Sequence, residues 1–144
     1  MSNFFSDIES EQLVNKISEL EQKTESEIRI HIEDVCEESA FDRAVEVFQK
    51  LGMQKTKDKT GILIYLATQD KKMAVLGDKG INEKLENNFW DSIIEKMKVK
   101  FQTQGVSSGL ELGLELIGQK LIEYFPERGT PSNQLPNDIS YGKV

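Results

Sequence analysis

Gly61-Ile62-Leu63-Ile64-Tyr65-Leu66-Ala67, then Thr68-Gln69-Asp70-Lys71-Lys72, then Met73-Ala74-Val75-Leu76 is the stretch that decides the fold. From Ile62 to Ala67 every residue is apolar and nothing alternates, the pattern of a central strand covered on both faces. The short polar break before Met73 reads as a hairpin turn, so the third strand runs antiparallel to the second. Gly77-Asp78-Lys79-Gly80 ends it, and a short helix is expected from Asn82.

Working toward the N-terminus, Ser39 with Asp42 three residues on reads as the start of a helix. Phe41, Ala44, Val45, Phe48 and Leu51 give it an apolar stripe, and Gly52 sits where a helix-ending glycine belongs. Residues 26–35 read as a strand, with Ile28, Ile30 and Ile32 on one face and Glu27, Arg29 and His31 on the other. Strand, helix, strand is a crossover unit, so strands one and two are expected to be parallel. The sheet is therefore small and mixed, and the class is α/β. Residues 6–23 form a further amphipathic helix, with Ser6 and Glu9 at capping-box spacing.

Toward the C-terminus, a long helix is expected over about 87–103, with Phe89, Trp90, Ile93, Ile94, Met97 and Phe101 inward. Ser108 with Glu111 marks the start of a last helix running to about Tyr124. Its apolar character on nearly all sides predicts burial, and Gly109 and Gly113 predict tight packing on the sheet. All three prolines, Pro126, Pro131 and Pro136, lie in a polar tail without periodicity. The expected division is a domain over 1–126 and a C-terminal tail over 127–144 with low order.

The chain has 144 residues and a formal net charge of −7, with 25 acidic side chains and one cysteine. The length suits one domain. The acidic balance argues against nucleic acid and anionic membrane as partners. No apolar run approaches the ~18 residues that span a bilayer, and Met1 to Asp7 lacks the basic and apolar regions of a signal peptide. One cysteine excludes an internal disulfide and any multi-cysteine metal site. The expectation is a soluble, cytoplasmic, monomeric protein without a membrane anchor.

Chain direction then gathers charge. The start of strand one carries Glu25 and Glu27, the approach to strand two carries Asp58, and the end of strand three carries Asp78. Parallel and antiparallel directions place all of these at one sheet edge, from which the helix holding Asp91 also begins. Glu25, Glu27, Asp58, Asp78 and Asp91 are thus candidate ligands for a hard divalent cation, Ca²⁺ or Mg²⁺. The chain has no EF-hand loop, so this expectation rests on convergence alone.

Other chemistry is poorly furnished. Arg43 follows Cys36 one residue too late for a cysteine phosphatase loop, and a thiol packed in the interior is the plainer reading of Cys36. His31, the single histidine, reads as a sheet residue facing a helix. Arg29 pairs with a neighbouring carboxylate or meets a phosphate. A glycine-rich phosphate loop, a serine elbow and a paired-aspartate motif are all missing from the sequence.

Several segments together resemble the TPM domain family: Thr24-Glu25-Ser26-Glu27-Ile28-Arg29-Ile30-His31-Ile32, Leu51-Gly52-Met53, and Thr60-Gly61 through Ala67. They continue with Asp70-Lys71-Lys72, Leu76-Gly77-Asp78-Lys79-Gly80-Ile81, Phe89-Trp90-Asp91 and the glycine-spaced last helix. The resemblance covers about residues 6–126. It implies a three-layer α/β/α sandwich and divalent-cation binding near the strand ends. Some plant members are credited with acid phosphatase activity and others with repair or assembly of membrane complexes. A divalent-cation-binding accessory module, with another protein as a possible partner class, is the reading that follows. A metal-dependent acid phosphatase is the alternative.

Overall fold

Ser6 caps the first helix as its spacing predicts: the Glu9 amide donates to the Ser6 hydroxyl at 3.1 Å and the Ser6 amide to the Glu9 carboxylate at 3.0 Å. In the computed structural model, which describes residues 4–85, 88–127 and 139–144, that helix is α1, Asp7–Glu21. It is followed by β1 (Glu27–Glu33), α2 (Ala40–Lys50), a single 3₁₀ turn (Met53–Lys55), β2 (Gly61–Ala67) and β3 (Lys72–Gly77). Then come α3 (Lys79–Asn82), α4 (Phe89–Gln104), α5 (Val106–Tyr124) and β4 (Ser140–Tyr141).

The sheet order is β3-β2-β1-β4. β1 and β2 are parallel with Glu27 opposite Gly61, and β2 and β3 are antiparallel with Ile62 opposite Gly77. Ile28, Ile30, Ile32, Ile62, Ile64 and Leu66 bury one sheet face against α1, α4 and α5. Leu63, Tyr65, Ala67 and Ala74 bury the other with Ala44, Val47, Phe48 and Met53. The molecule is thus the expected three-layer α/β/α sandwich with a small mixed sheet, and every residue of β2 is buried.

Five expectations are corrected. The short helix does not begin at Asn82 but ends there, because Asp78 caps it by accepting from the Lys79 amide. Ser108 lies inside α5, which starts at Val106 directly after Gly105 at φ 97°, a conformation that suits glycine. The α5 glycines serve the helices rather than the sheet: a Cβ at Gly109 would collide with Phe101, one at Gly113 with Met97 Sδ at 2.5 Å, and one at Gly118 with Leu20. Phe41 points to solvent, whereas Trp90 packs on the core as expected, half-buried with its indole N–H donating to Asn82 Oδ1 at 3.3 Å.

The fifth concerns the end of the chain. Residues 128–138, with Pro131 and Pro136, lie outside the described residues, as do 86–87 at the expected start of α4. Ile139–Val144 nevertheless is ordered. Ile139 is buried in the core, Ser140 and Tyr141 pair in parallel with His31 and Ile32, and the Gly142 amide donates to Ile32 O at 2.8 Å. Polar composition hid a strand too short to show periodicity.

Candidate functional site

The parallel register does bring the predicted segments to one corner. The Glu27 amide donates to Thr60 O at 3.2 Å, the Asp78 amide to Gly61 O at 2.9 Å, and the Gly80 amide to Lys59 O at 2.9 Å. The Thr60 hydroxyl reaches Glu25 O at 3.4 Å. Gly80 makes this possible, since a Cβ there would run into the main-chain carbonyls of Asp58 and Lys59.

Side chains use the corner unequally. Asp78 spends Oδ1 on the Lys79 amide at 2.7 Å, while its Oδ2 is buried without a hydrogen-bond partner among the described residues. Asp58 and Asp91 are exposed, and Glu25 and Arg29 are half-buried. Glu27 is 2% exposed. Among the described residues, no group of three or more His, Cys, Asp or Glu side chains is arranged as a ready-made cage for a metal ion.

Glu27 instead meets a residue that the sequence reading passed over. Glu21, the last residue of α1, lays its carboxyl against Glu27 and accepts from the Ile28 amide at 2.8 Å. Burial pushes the Glu21 carboxyl up to about 9. The Glu27 carboxyl adds to the rise, and the Ile28 amide works against it. At neutral pH the pair therefore holds a proton: two carboxyls this close cannot both ionise. No spacing rule marks Glu21, because it sits on a helix end and acts across the layer on a strand.

The opposite end of β1 is built differently. Glu33 accepts from Arg43 Nε at 3.0 Å and Nη2 at 2.5 Å, from the Tyr65 hydroxyl at 2.6 Å, and faces His31 Nε2 at 3.3 Å. Burial works to raise the Glu33 carboxyl, yet Arg43 and Tyr65 hold it down at about 2. The same contact raises Arg43 further. Burial and Glu33 together push the Tyr65 phenol up. Arg43 and Glu33 border a cavity of about 410 Å³ at the carboxyl ends of β1 and β4, with Cys36, Gly142 and Lys143 among its other walls. The Cys36 amide donates to Asp70 at 2.7 Å and its thiol to Glu38 O at 3.2 Å, so this cysteine is a buried, fixed part of the loop. The one available signal for this network was parity, since Glu33 shares a strand face with Glu27, Arg29 and His31.

The family model of the TPM domain, which carries a phosphatase name, matches residues 1–120. The chain belongs to the TPM domain family. The domain is 38% identical to the BA42 protein of the psychrophilic bacterium Bizionia argentinensis, whose NMR structure superposes with a TM-score of 0.91 over 99% of this chain and 98% of that one. It also shares its fold with the N-terminal domain of a protein from P. gingivalis, at 16% identity and a TM-score of 0.74, over 89% of this chain and 85% of that one. No functionally curated protein matches the chain. Among the described residues of this TPM domain, no helix is long and apolar enough to cross a membrane.

Proposed function

We propose that this TPM domain is a binding or accessory module that takes up a divalent cation, Ca²⁺ or Mg²⁺, at the corner where β1 and β2 begin and β3 ends. The observation that supports this reading is Asp78, with one carboxylate oxygen buried and without a hydrogen-bond partner among the described residues, in the turn that packs on the carbonyls of Asp58 and Lys59. Carboxylate and carbonyl oxygens are the donors that hard cations accept, with water completing the shell. Glu25, Asp58 and Asp91, on the segments that precede and follow, are the further carboxylates that a cation would have to draw in. Glu27 joins only by leaving Glu21, so uptake there is in competition with the shared proton and strengthens as pH rises.

Ligands drawn from separate segments imply weak affinity, on the order of 10⁻⁴ to 10⁻³ M. At a tenfold excess of cation the linkage adds ~1.4 kcal/mol, a rise of roughly 3–5 °C in Tm. Millimolar Ca²⁺ is expected to give this shift in the wild type, and Asp78→Asn to remove most of it. Amide resonances over 24–27, 58–61, 77–81 and 88–92 are expected to move together in the titration. Shifts scattered over acidic helix faces, or an Asp78→Asn protein that titrates like wild type, would refute the assignment.

The phosphatase name of the matched family supports a second reading, a metal-dependent acid phosphatase. A bound cation there would polarise a phosphoryl oxygen. Release of phosphate from p-nitrophenyl phosphate with Mg²⁺ or Ca²⁺, lost in Asp78→Ala, decides for it; no release decides for the accessory module.

A further inference from the structure

His31 is completely buried beneath the end of the chain. On one side its Nε2 faces the Glu33 carboxylate, and on the other its Nδ1 lies 2.7 Å from the Ser140 hydroxyl. In the neutral ring, with the Nε2 proton toward the carboxylate, Nδ1 is the bare nitrogen and accepts from Ser140, whose hydroxyl also lies 3.4 Å from Ile30 O. Among the described residues, the other ties of this two-residue strand are its pairing with His31 and Ile32, the packing of Tyr141 against the core, and three more. The Gly142 amide donates to Ile32 O, Lys50 Nζ donates to Val144 O at 3.0 Å, and Ile139 enters the core.

We propose that β4 is a detachable strap that seats only over an uncharged His31, and that acidification releases it and opens the cavity behind Glu33, one wall of which is Gly142 and Lys143. A second proton on the ring would leave a buried imidazolium with little to balance it. From its own strand it faces Glu33, but that carboxylate is already engaged by both the guanidinium and the phenol. From α2 it faces the like charge of Arg43, and from β2 the ring of Tyr65, stacked at 6.1 Å. From the strap it faces the Ser140 hydroxyl and the Gly142 backbone. Burial lowers the His31 imidazole, Glu33 and the Gly142 backbone oppose that, and the net direction is down. Lifting the strap lets water reach the ring and restores its ordinary affinity for protons, so protons favour the open form.

The test is amide hydrogen exchange of the full chain from pH 7.5 to 5.5, corrected for the intrinsic pH dependence of exchange. The protection of the Gly142 amide is expected to fall on the order of tenfold over that range. The Ile64 and Val75 amides should keep theirs. In His31→Gln the Gly142 protection should no longer depend on pH. If that variant does not fold, Ser140→Ala serves: its strap is looser at pH 7.5 yet keeps the wild-type slope, because His31 still titrates. A Gly142 protection that is flat in wild type, that falls together with Ile64, or that falls equally in His31→Gln overturns the proposal.

Discussion

The two ends of β1 solve the same problem in opposite ways. At each end an acidic side chain of one strand face is buried, Glu27 at 2% exposure and Glu33 at 6%. Glu33 has cationic and hydroxyl donors around it and keeps its charge. Glu27 has another carboxyl beside it, Glu21, and the pair keeps a proton instead. Burial alone therefore does not set the charge of a carboxyl; the neighbour within hydrogen-bond reach does.

The largest break in this comparison is Glu33→Ala. It takes the shared acceptor from the half-buried Arg43 guanidinium, the Tyr65 hydroxyl and the buried His31 ring and is expected to cost ~3–5 kcal/mol in urea unfolding. Next is removal of residues 139–144, which uncovers His31 and takes Ile139 out of the core; ~2–3 kcal/mol is expected from the apolar burial alone. Tyr65→Phe is smaller, ~1–2 kcal/mol, since it deletes one hydrogen bond to a charged group and leaves the ring in place.

The effect of pH is the most diagnostic. The Glu21 carboxyl loses its proton at about 9 in the folded protein, above its ordinary value of 4.5. Its contribution to stability is therefore whole below about 4.5 and is lost as pH rises toward 9. Glu33 runs the other way: lowered to about 2, it stabilises above 4.5 and that gain is lost as pH falls through 2. Glu21→Gln keeps an oxygen for the Ile28 amide and removes the titration. Its stability is expected to be flatter than wild type between pH 5 and 9 and higher at pH 8, by chemical unfolding at several pH values. A wild-type slope in this variant would show that the carboxyl pair is not the source.

What was legible in the sequence follows from how local its cause is. The β2–β3 hairpin, the crossover and the Ser6 cap depend on near neighbours and were readable. So was the meeting of strand ends at one corner, because strand direction fixes it. The partners of the buried charges were not. Glu33 with Arg43 spans ten residues and Glu33 with Tyr65 thirty-two, and only three-dimensional packing selects those pairs from the acidic side chains. Phe41 misled because a helical stripe is wider than the strip the sheet covers, and Asn82 because the capping residue was Asp78 four positions earlier.

The close seating of α5 on α4 has a consequence for the order in which the chain assembles. These helices are joined at Gly105 alone, so their meeting requires almost no loop closure. Ser140, in contrast, finds His31 across 109 positions of sequence. Rates of folding fall as such separations grow. The helical hairpin is thus the natural early event on the folding route and the last strand the natural late one. A segment that arrives last, after the core has closed, is also one that can depart without taking the core with it.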